Sequence, residues 1–174
     1  MNALIKEDTI IAIATPPGVG AISIIRLSGP FSFGAVDSVF SGLARISDVK
    51  SHTIHYGKII NESEVIDDVL VSVFREPNSY TGEDCVEISS HWSPIISQKI
   101  ISLILNKSDI RLAKPGEFTK RAFLNGKIDL TQAEAVADLI NSRTSISLRG
   151  ARNQLDGLLS SKVVLLRKKL IDVS

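Results

Sequence analysis

The stretch TIIAIATPPGVGAISIIRL, residues 9–27, decides how the chain begins to fold. Its two ends, residues 9–14 and 21–27, are runs of β-branched and apolar residues, and its middle is a cluster of chain breakers, Pro16, Pro17, Gly18 and Gly20. β-Branched side chains suit a pleated surface, while glycine and proline turn the backbone, so the segment reads as strand, tight loop, strand. GVGAIS inside it opens like a dinucleotide-binding fingerprint, but the third glycine is missing and a β-rich run follows where a helix should begin. The glycines are therefore read as turning the backbone between strands.

Outward from this hairpin-like start, Pro30 is expected to open a short helix with Phe31, Phe33, Val36, Val39 and Phe40 on its apolar side and Gly42 at its end. Residues 52–60 and 65–74 flank the polar turn 61–64, the pattern of a long hairpin whose second arm, with VLVSVF, reads as an interior strand. After the loop PNSYTGED, Val86 and Ile88 alternate with Cys85, Glu87 and Ser89, so one face of that strand is buried and the other presents Glu87. Ser93 and Pro94 suit the N-cap and first position of a helix, and Ile95, Ile96, Ile100, Ile101, Leu103, Ile104 and Leu105 give it a broad apolar side to lay on the sheet. Hairpin and crossover connections together predict an α+β fold, a mixed β-sheet with covering helices, in place of a doubly wound parallel sheet.

The pattern then changes to helical spacing, which puts a boundary near residues 110–115 and divides the chain into domains 1–113 and 114–174, the second an all-α helical segment. Phe118, Ala122 and Phe123 mark one helix stopped by Asn125 and Gly126, and Thr131 with Glu134 reads as a capping box for the next. Apolar positions from Leu148 to Val173 predict one terminal helix of about 45 Å at 1.5 Å per residue, weakened locally at Gly150 and Gly157. One helix cannot bury such a stripe alone, so a truncated bundle or an oligomer is expected to complete it.

Composition excludes several functions. A 174-residue chain with 44% hydrophobic residues can bury a core without staples. Twenty basic against 19 acidic residues leave a formal charge of +1, no footprint for wrapping nucleic acid, so any RNA contact is local or borrowed. Cys85 is the single cysteine, which leaves no internal disulfide or thiol-based zinc site and fits a reducing compartment. The N-terminus resembles no signal or transit peptide and no apolar run reaches the roughly 18 residues of a membrane span, so a cytoplasmic protein without membrane contact is expected. His52, His55 and His91 lie too far apart for a local metal pair, and neither a catalytic residue nor a metal ligand is assigned. NKSD, residues 106–109, matches the guanine-specificity motif of GTPases, but the phosphate cradle G-x-x-x-x-G-K-[ST] is missing from these residues, and the motif reads as a solvated helix end. Arg167, Lys168 and Lys169 read as complementing a helix C-terminus.

Three runs are more specific than these motifs: DTIIAIATPPGVGAISIIRLSGP at residues 8–30, PNSYTGEDCVEISSH at 77–91 and KPGEFTKRAFLNGKIDLTQAEAVADLI at 114–140. In order and spacing the chain resembles the N-terminal portion of the MnmE (TrmE) family of tRNA modification GTPases. The resemblance implies a tetrahydrofolate-binding α+β domain that forms a homodimer, followed by a helical domain into which a Ras-like GTPase domain is inserted. It further implies modification of the wobble uridine of tRNA at C5, together with the flavoprotein MnmG (GidA), using a one-carbon unit from 5-formyl- or 5,10-methylene-tetrahydrofolate. GTP, magnesium and potassium belong to the family's GTPase domain, which is expected to be absent from these 174 residues, so the chain is expected neither to bind nor to hydrolyse GTP alone.

The family's folate-contacting positions fall on the arginine of IIRLSG, the second glutamate of GEDCVEI and the lysine of NGKIDL, here Arg26, Glu87 and Lys127. A carboxylate can accept two parallel hydrogen bonds from an amino-pyrimidinone edge, and Arg or Lys can bind a carbonyl or a tail carboxylate; which of Arg26 and Lys127 faces the tail stays open. Val19, Ala21, Trp92 and Ser93 depart from the family's PPGRGG-like and HGG patterns. The alternative is a dimerisation or interaction module whose folate site has decayed.

Overall fold

The computed structural model describes residues 8–106 and 110–157. Their contacts divide the chain into two compact units, Met1–Phe118 and Thr119–Ser174. In the first, β1 (Thr9–Ile13), β2 (Ile22–Ser28), β3 (Phe40–Gly42), β4 (Thr53–Asn61), β5 (Glu64–Phe74), β6 (Cys85–His91) and β7 (Ile110–Leu112) form one seven-stranded sheet in the order β3-β4-β5-β6-β2-β1-β7. Only β1 and β7 pair in parallel; the other neighbours are antiparallel, which makes the sheet mixed.

Strand alternation separates two faces. Ile11 on β1, Ile25 and Leu27 on β2, Val86 and Ile88 on β6, and Val69, Val71 and Val73 on β5 point to one face and join the buried core. There they meet Phe33 and Val36 of α1 (Ser32–Asp37) and Ile100 and Ile104 of α2 (Pro94–Leu105). α2 thus covers the sheet as its apolar side predicts, with Ser93 at the N-cap but its hydroxyl making no capping bond.

The helix expected to run from Pro30 to Gly42 stops at Asp37, and Phe40–Gly42 instead forms the edge strand β3 against β4. The reason is steric: Gly42 and Gly57 lie opposite each other, and a Cβ at Gly57 would fall 2.4 Å from the Phe40 ring. A ring laid over bare glycine backbone secures the edge where side-chain packing is missing.

In the second unit, α3 begins at the end of the first (Glu117–Leu124) and α4 (Leu130–Asn141) and α5 (Ser145–Leu155) follow. α3 closes in a Schellman arrangement: Gly126, at φ 68°, donates to Phe123 O, and Lys127 N–H donates to Ala122 O at 2.8 Å. The capping box of α4 is Asp129 with Gln132, not Thr131 with Glu134, because the helix already starts at Leu130 and puts Thr131 inside its first turn. Thr131 instead donates its hydroxyl to Asp129 Oδ1 at 2.7 Å. Thr144 and Ser147 make a second capping box for α5. The two helices are tied side by side by Gln132 Nε2, which donates to Leu155 O at 2.7 Å, and by Gln154 Nε2, which donates to Thr131 O at 3.3 Å. The expected continuous terminal helix is interrupted: α5 ends at Leu155, and Gly157 follows with φ 77°, a left-handed conformation that closes a helix. The stripe from residue 158 onward, with Arg167 to Lys169, and residues 107–109 of NKSD lie outside the described residues.

Candidate functional site

β2 and β6 pair antiparallel, and their register places Arg26 directly opposite Glu87 on the face not covered by α2. Arg26 Nε donates to Glu87 Oε1 at 2.8 Å, and Nη2 reaches the same oxygen at 2.7 Å. Both side chains are about a quarter exposed, 26% and 23%, so the pair is sheltered yet open on one side. Glu87 Oε2 and Arg26 Nη1 take part in no hydrogen bond among the described residues. The pair therefore presents one spare acceptor beside one spare donor.

Two aromatic rings frame it. The Arg26 guanidinium carbon lies 5.5 Å from the centroid of Tyr80 and 5.5 Å from that of Phe118, within cation–π range of both. Tyr80 is carried by the loop between β5 and β6, which is pinned to the sheet through Ser28: its hydroxyl lies 2.6 Å from Thr81 Oγ1 and donates to Glu83 Oε2 at 2.7 Å. Phe118 is set at the start of α3 by Arg111 of β7, which donates through Nη1 to Glu117 Oε2 at 2.9 Å, through Nη2 to Glu117 Oε1 and through Nε to Asp8 Oδ2 at 2.6 Å. These carboxylates, Glu117 first, hold the Arg111 proton more firmly than usual.

Cys85, two residues before Glu87 on the same face of β6, is 2% exposed. Burial pushes its thiol up to about 12; the Arg26 charge opposes this, while Glu87, Glu83 and Asp84 add to it. It is a packed hydrophobe here, not a nucleophile.

The expected site residues divide as follows. Arg26 and Glu87 are brought together by strand register. Lys127 stands in the second unit, exposed in the turn that ends α3. Sequence reasoning missed Tyr80 and Phe118; both lie inside the quoted runs, but nothing in their spacing says that a loop and a helix start will flank the same guanidinium. His91, exposed at the end of β6, accepts Asp67 as its partner: its backbone N–H donates to Asp67 Oδ2 at 2.7 Å and Nδ1 lies 2.8 Å from Oδ1, which raises the imidazole above its usual value. Among the described residues no group of three or more His, Cys, Asp and Glu is placed to hold a metal, and no helix is long and apolar enough to cross a membrane. Chemically, the site can bind a planar group whose edge offers hydrogen-bond donors next to an acceptor.

Residues 9–127 match the family described as GTP-binding protein TrmE N-terminus. The chain is also similar to curated proteins named tRNA modification GTPase MnmE. It is 53% identical to the one from Carboxydothermus hydrogenoformans over 171 residues, which cover 96% of this chain and 37% of that protein. To the one from Exiguobacterium sibiricum it is 49% identical over 170 residues, 97% of this chain and 37% of that protein. It is likewise 49% identical to the Flavobacterium johnsoniae protein over 171 residues. The chain thus spans little more than a third of the length of these relatives, 37% and 36%.

Proposed function

The chain belongs to the MnmE (TrmE) family, as its N-terminal part, and from that premise we propose that it binds a reduced folate carrying a one-carbon unit and pairs with a second copy of itself. Its setting is wobble-uridine modification of tRNA by a complex with a flavoprotein. Arg26, Glu87 and Lys127 are the proposed folate contacts, and 5-formyl- or 5,10-methylene-tetrahydrofolate the proposed ligand, which supplies the one-carbon unit when bound.

The observation that carries the reading is the half-used ion pair. An amino-pyrimidinone edge offers N–H donors beside a carbonyl acceptor, and Glu87 Oε2 with Arg26 Nη1 offers the complement. Because Glu87 Oε1 already holds Arg26, the carboxylate is fixed in orientation before a ligand arrives, which lowers the ordering cost of binding. Tyr80 and Phe118 add flat apolar surface next to that edge. GTP hydrolysis by the longer relatives stays with those proteins, since the phosphate cradle is not among these residues.

Calorimetric titration with 5-formyl-tetrahydrofolate tests the proposal. Wild type is expected to bind saturably and Arg26→Ala to bind about tenfold or more weakly with an unchanged circular dichroism spectrum. Saturable binding of equal strength by both would refute the assignment of Arg26, and absence of binding by wild type would turn the reading to an interaction module without folate.

A further inference from the structure

Tyr80 and Thr81 are consecutive in the loop between β5 and β6, yet their surroundings differ. The Tyr80 ring is 39% exposed and lies over the Arg26 guanidinium, whereas Thr81 is wholly buried. A buried hydroxyl has to bond within the protein, because water does not reach it. Thr81 Oγ1 lies 2.6 Å from Ser28 Oγ and accepts the Glu83 N–H at 3.3 Å. Ser28, also wholly buried, donates to Glu83 Oε2 at 2.7 Å, so the three residues close a ring of contacts. Ser28 is two residues from Arg26 on β2 and therefore on the same face of the sheet. The strand that carries the guanidinium thus also holds the loop that carries its ring.

The loop has two separate anchorages. Its base is fixed through Asp84, whose carbonyl accepts the Gly29 N–H at 2.9 Å and the Ser32 hydroxyl at 3.2 Å, and whose Oδ1 accepts the Glu76 N–H at 3.0 Å. None of these bonds involves Thr81. Residues 79–83 are instead gathered around Glu83: Ser79 donates to its carbonyl, Thr81 accepts from its N–H and Ser28 reaches its carboxylate. Removing the Thr81 hydroxyl therefore acts on the tip of the loop and leaves the bonds of its base in place.

The tip matters for Arg26. Glu87 fixes the guanidinium at Nε and Nη2, and the Tyr80 and Phe118 rings bound its position, so Nη1 is aimed before a ligand arrives. A group aimed in advance saves part of the ordering cost of binding, and a loop tip that lets Tyr80 drift returns that cost. Resting on the folate reading above, we infer that Thr81 is a positioning residue for that site: its buried hydroxyl sets folate affinity by holding Tyr80 over Arg26 through the link to Ser28.

The test compares, in the whole chain, Thr81→Val, which keeps the branching and loses the hydroxyl, with Thr81→Ser, which keeps the hydroxyl. Ser28→Ala breaks the same link from the strand and serves as the second variant, and circular dichroism checks that each is folded. Two quantities are measured: affinity for 5-formyl-tetrahydrofolate by calorimetry and, without ligand, NMR cross-relaxation between the Tyr80 ring and the Arg26 side chain. Thr81→Val and Ser28→Ala are expected to bind about fivefold more weakly, the effect of one side chain left for the ligand to order, and to lose the Tyr80–Arg26 signal. Thr81→Ser is expected to restore both. In a Tyr80→Leu background, itself weakened, Thr81→Val is expected to add nothing, because its effect runs through that ring. A Tyr80–Arg26 signal unchanged in Thr81→Val, an affinity unchanged in both Thr81→Val and Ser28→Ala, a Thr81→Ser as weak as Thr81→Val, or a further loss of the same size in the Tyr80→Leu background would each overturn the proposal. Absence of folate binding by wild type would overturn the folate reading and with it the effect on affinity, whereas the ligand-free signal decides independently whether Thr81 holds the ring.

Discussion

Ile25 and Arg26 are neighbours on β2, yet they belong to different environments. Ile25 is wholly buried against the face that α1 and α2 cover, whereas Arg26 crosses to Glu87 on the other face under a loop and two rings. From Ser23 to Leu27 the strand alternates between buried and half-buried residues, so one face is packed for stability while the other carries the half-used Arg26–Glu87 pair. The lesson is that a half-covered sheet separates its tasks by parity: a substitution at one position is a folding experiment, and the same change one residue on is a binding experiment.

That separation can be broken most visibly at Ile25. Ile25→Ala removes buried methyl groups from a filled core and is expected to cost about 2–5 kcal/mol, measured as the shift of a urea unfolding curve. Next in size, Glu87→Ala is expected to weaken 5-formyl-tetrahydrofolate by about 10- to 150-fold, equivalent to about 1.5–3 kcal/mol, while moving the urea midpoint by less than about 1 kcal/mol, the usual worth of a cross-strand ion pair. A loss of stability at Glu87 as large as at Ile25 would end the division between the faces.

The helical unit supplies a smaller effect. Asp129→Ala removes the side-chain acceptor of Gln132 N–H, one half of the capping box that starts α4, and is expected to destabilise that unit by about 1 kcal/mol, whereas Thr131→Ala should cost less, because Thr131 only supports Asp129. Hydrogen exchange of the first amides of α4 distinguishes the two. Smallest of all is a pH effect at His91. Asp67 raises its pKa in the folded state above the ordinary value near 6.5, so the stabilisation is complete below that value and fades as pH rises through the folded pKa. His91→Asn should flatten the pH dependence of the melting temperature in that window, and the imidazole resonances of wild type should titrate with a midpoint above that of a free histidine.

Strands with strong alternation were legible before any coordinates. β2, β5 and β6 follow from residue type alone, and Glu87 on the open face follows from parity. β7 was not: IRL is too short to show a period, and what makes it a strand is parallel pairing with β1, a contact between distant parts of the chain. The apolar residues around Phe40–Gly42 also fit a helix, and only the opposed glycine pair decides for a strand. The cap of α4 slipped by two residues because Asp129-x-x-Gln132 and Thr131-x-x-Glu134 are overlapping versions of the same signal. At the site, Arg26 and Glu87 carry their chemistry in their identity, whereas Tyr80 and Phe118 acquire theirs only from where a loop and a helix start are pinned.

Cys85 turns the molecule into its own stopwatch. Its thiol is the only one in the chain, lies buried two residues from Glu87 on β6, and with a pKa near 12 offers almost no thiolate at neutral pH. A thiol reagent added to the folded protein must wait for β6 to open, so the lag before modification reads how often that strand lets go. Anything that tightens the open face should lengthen the lag, with no probe attached and no residue changed.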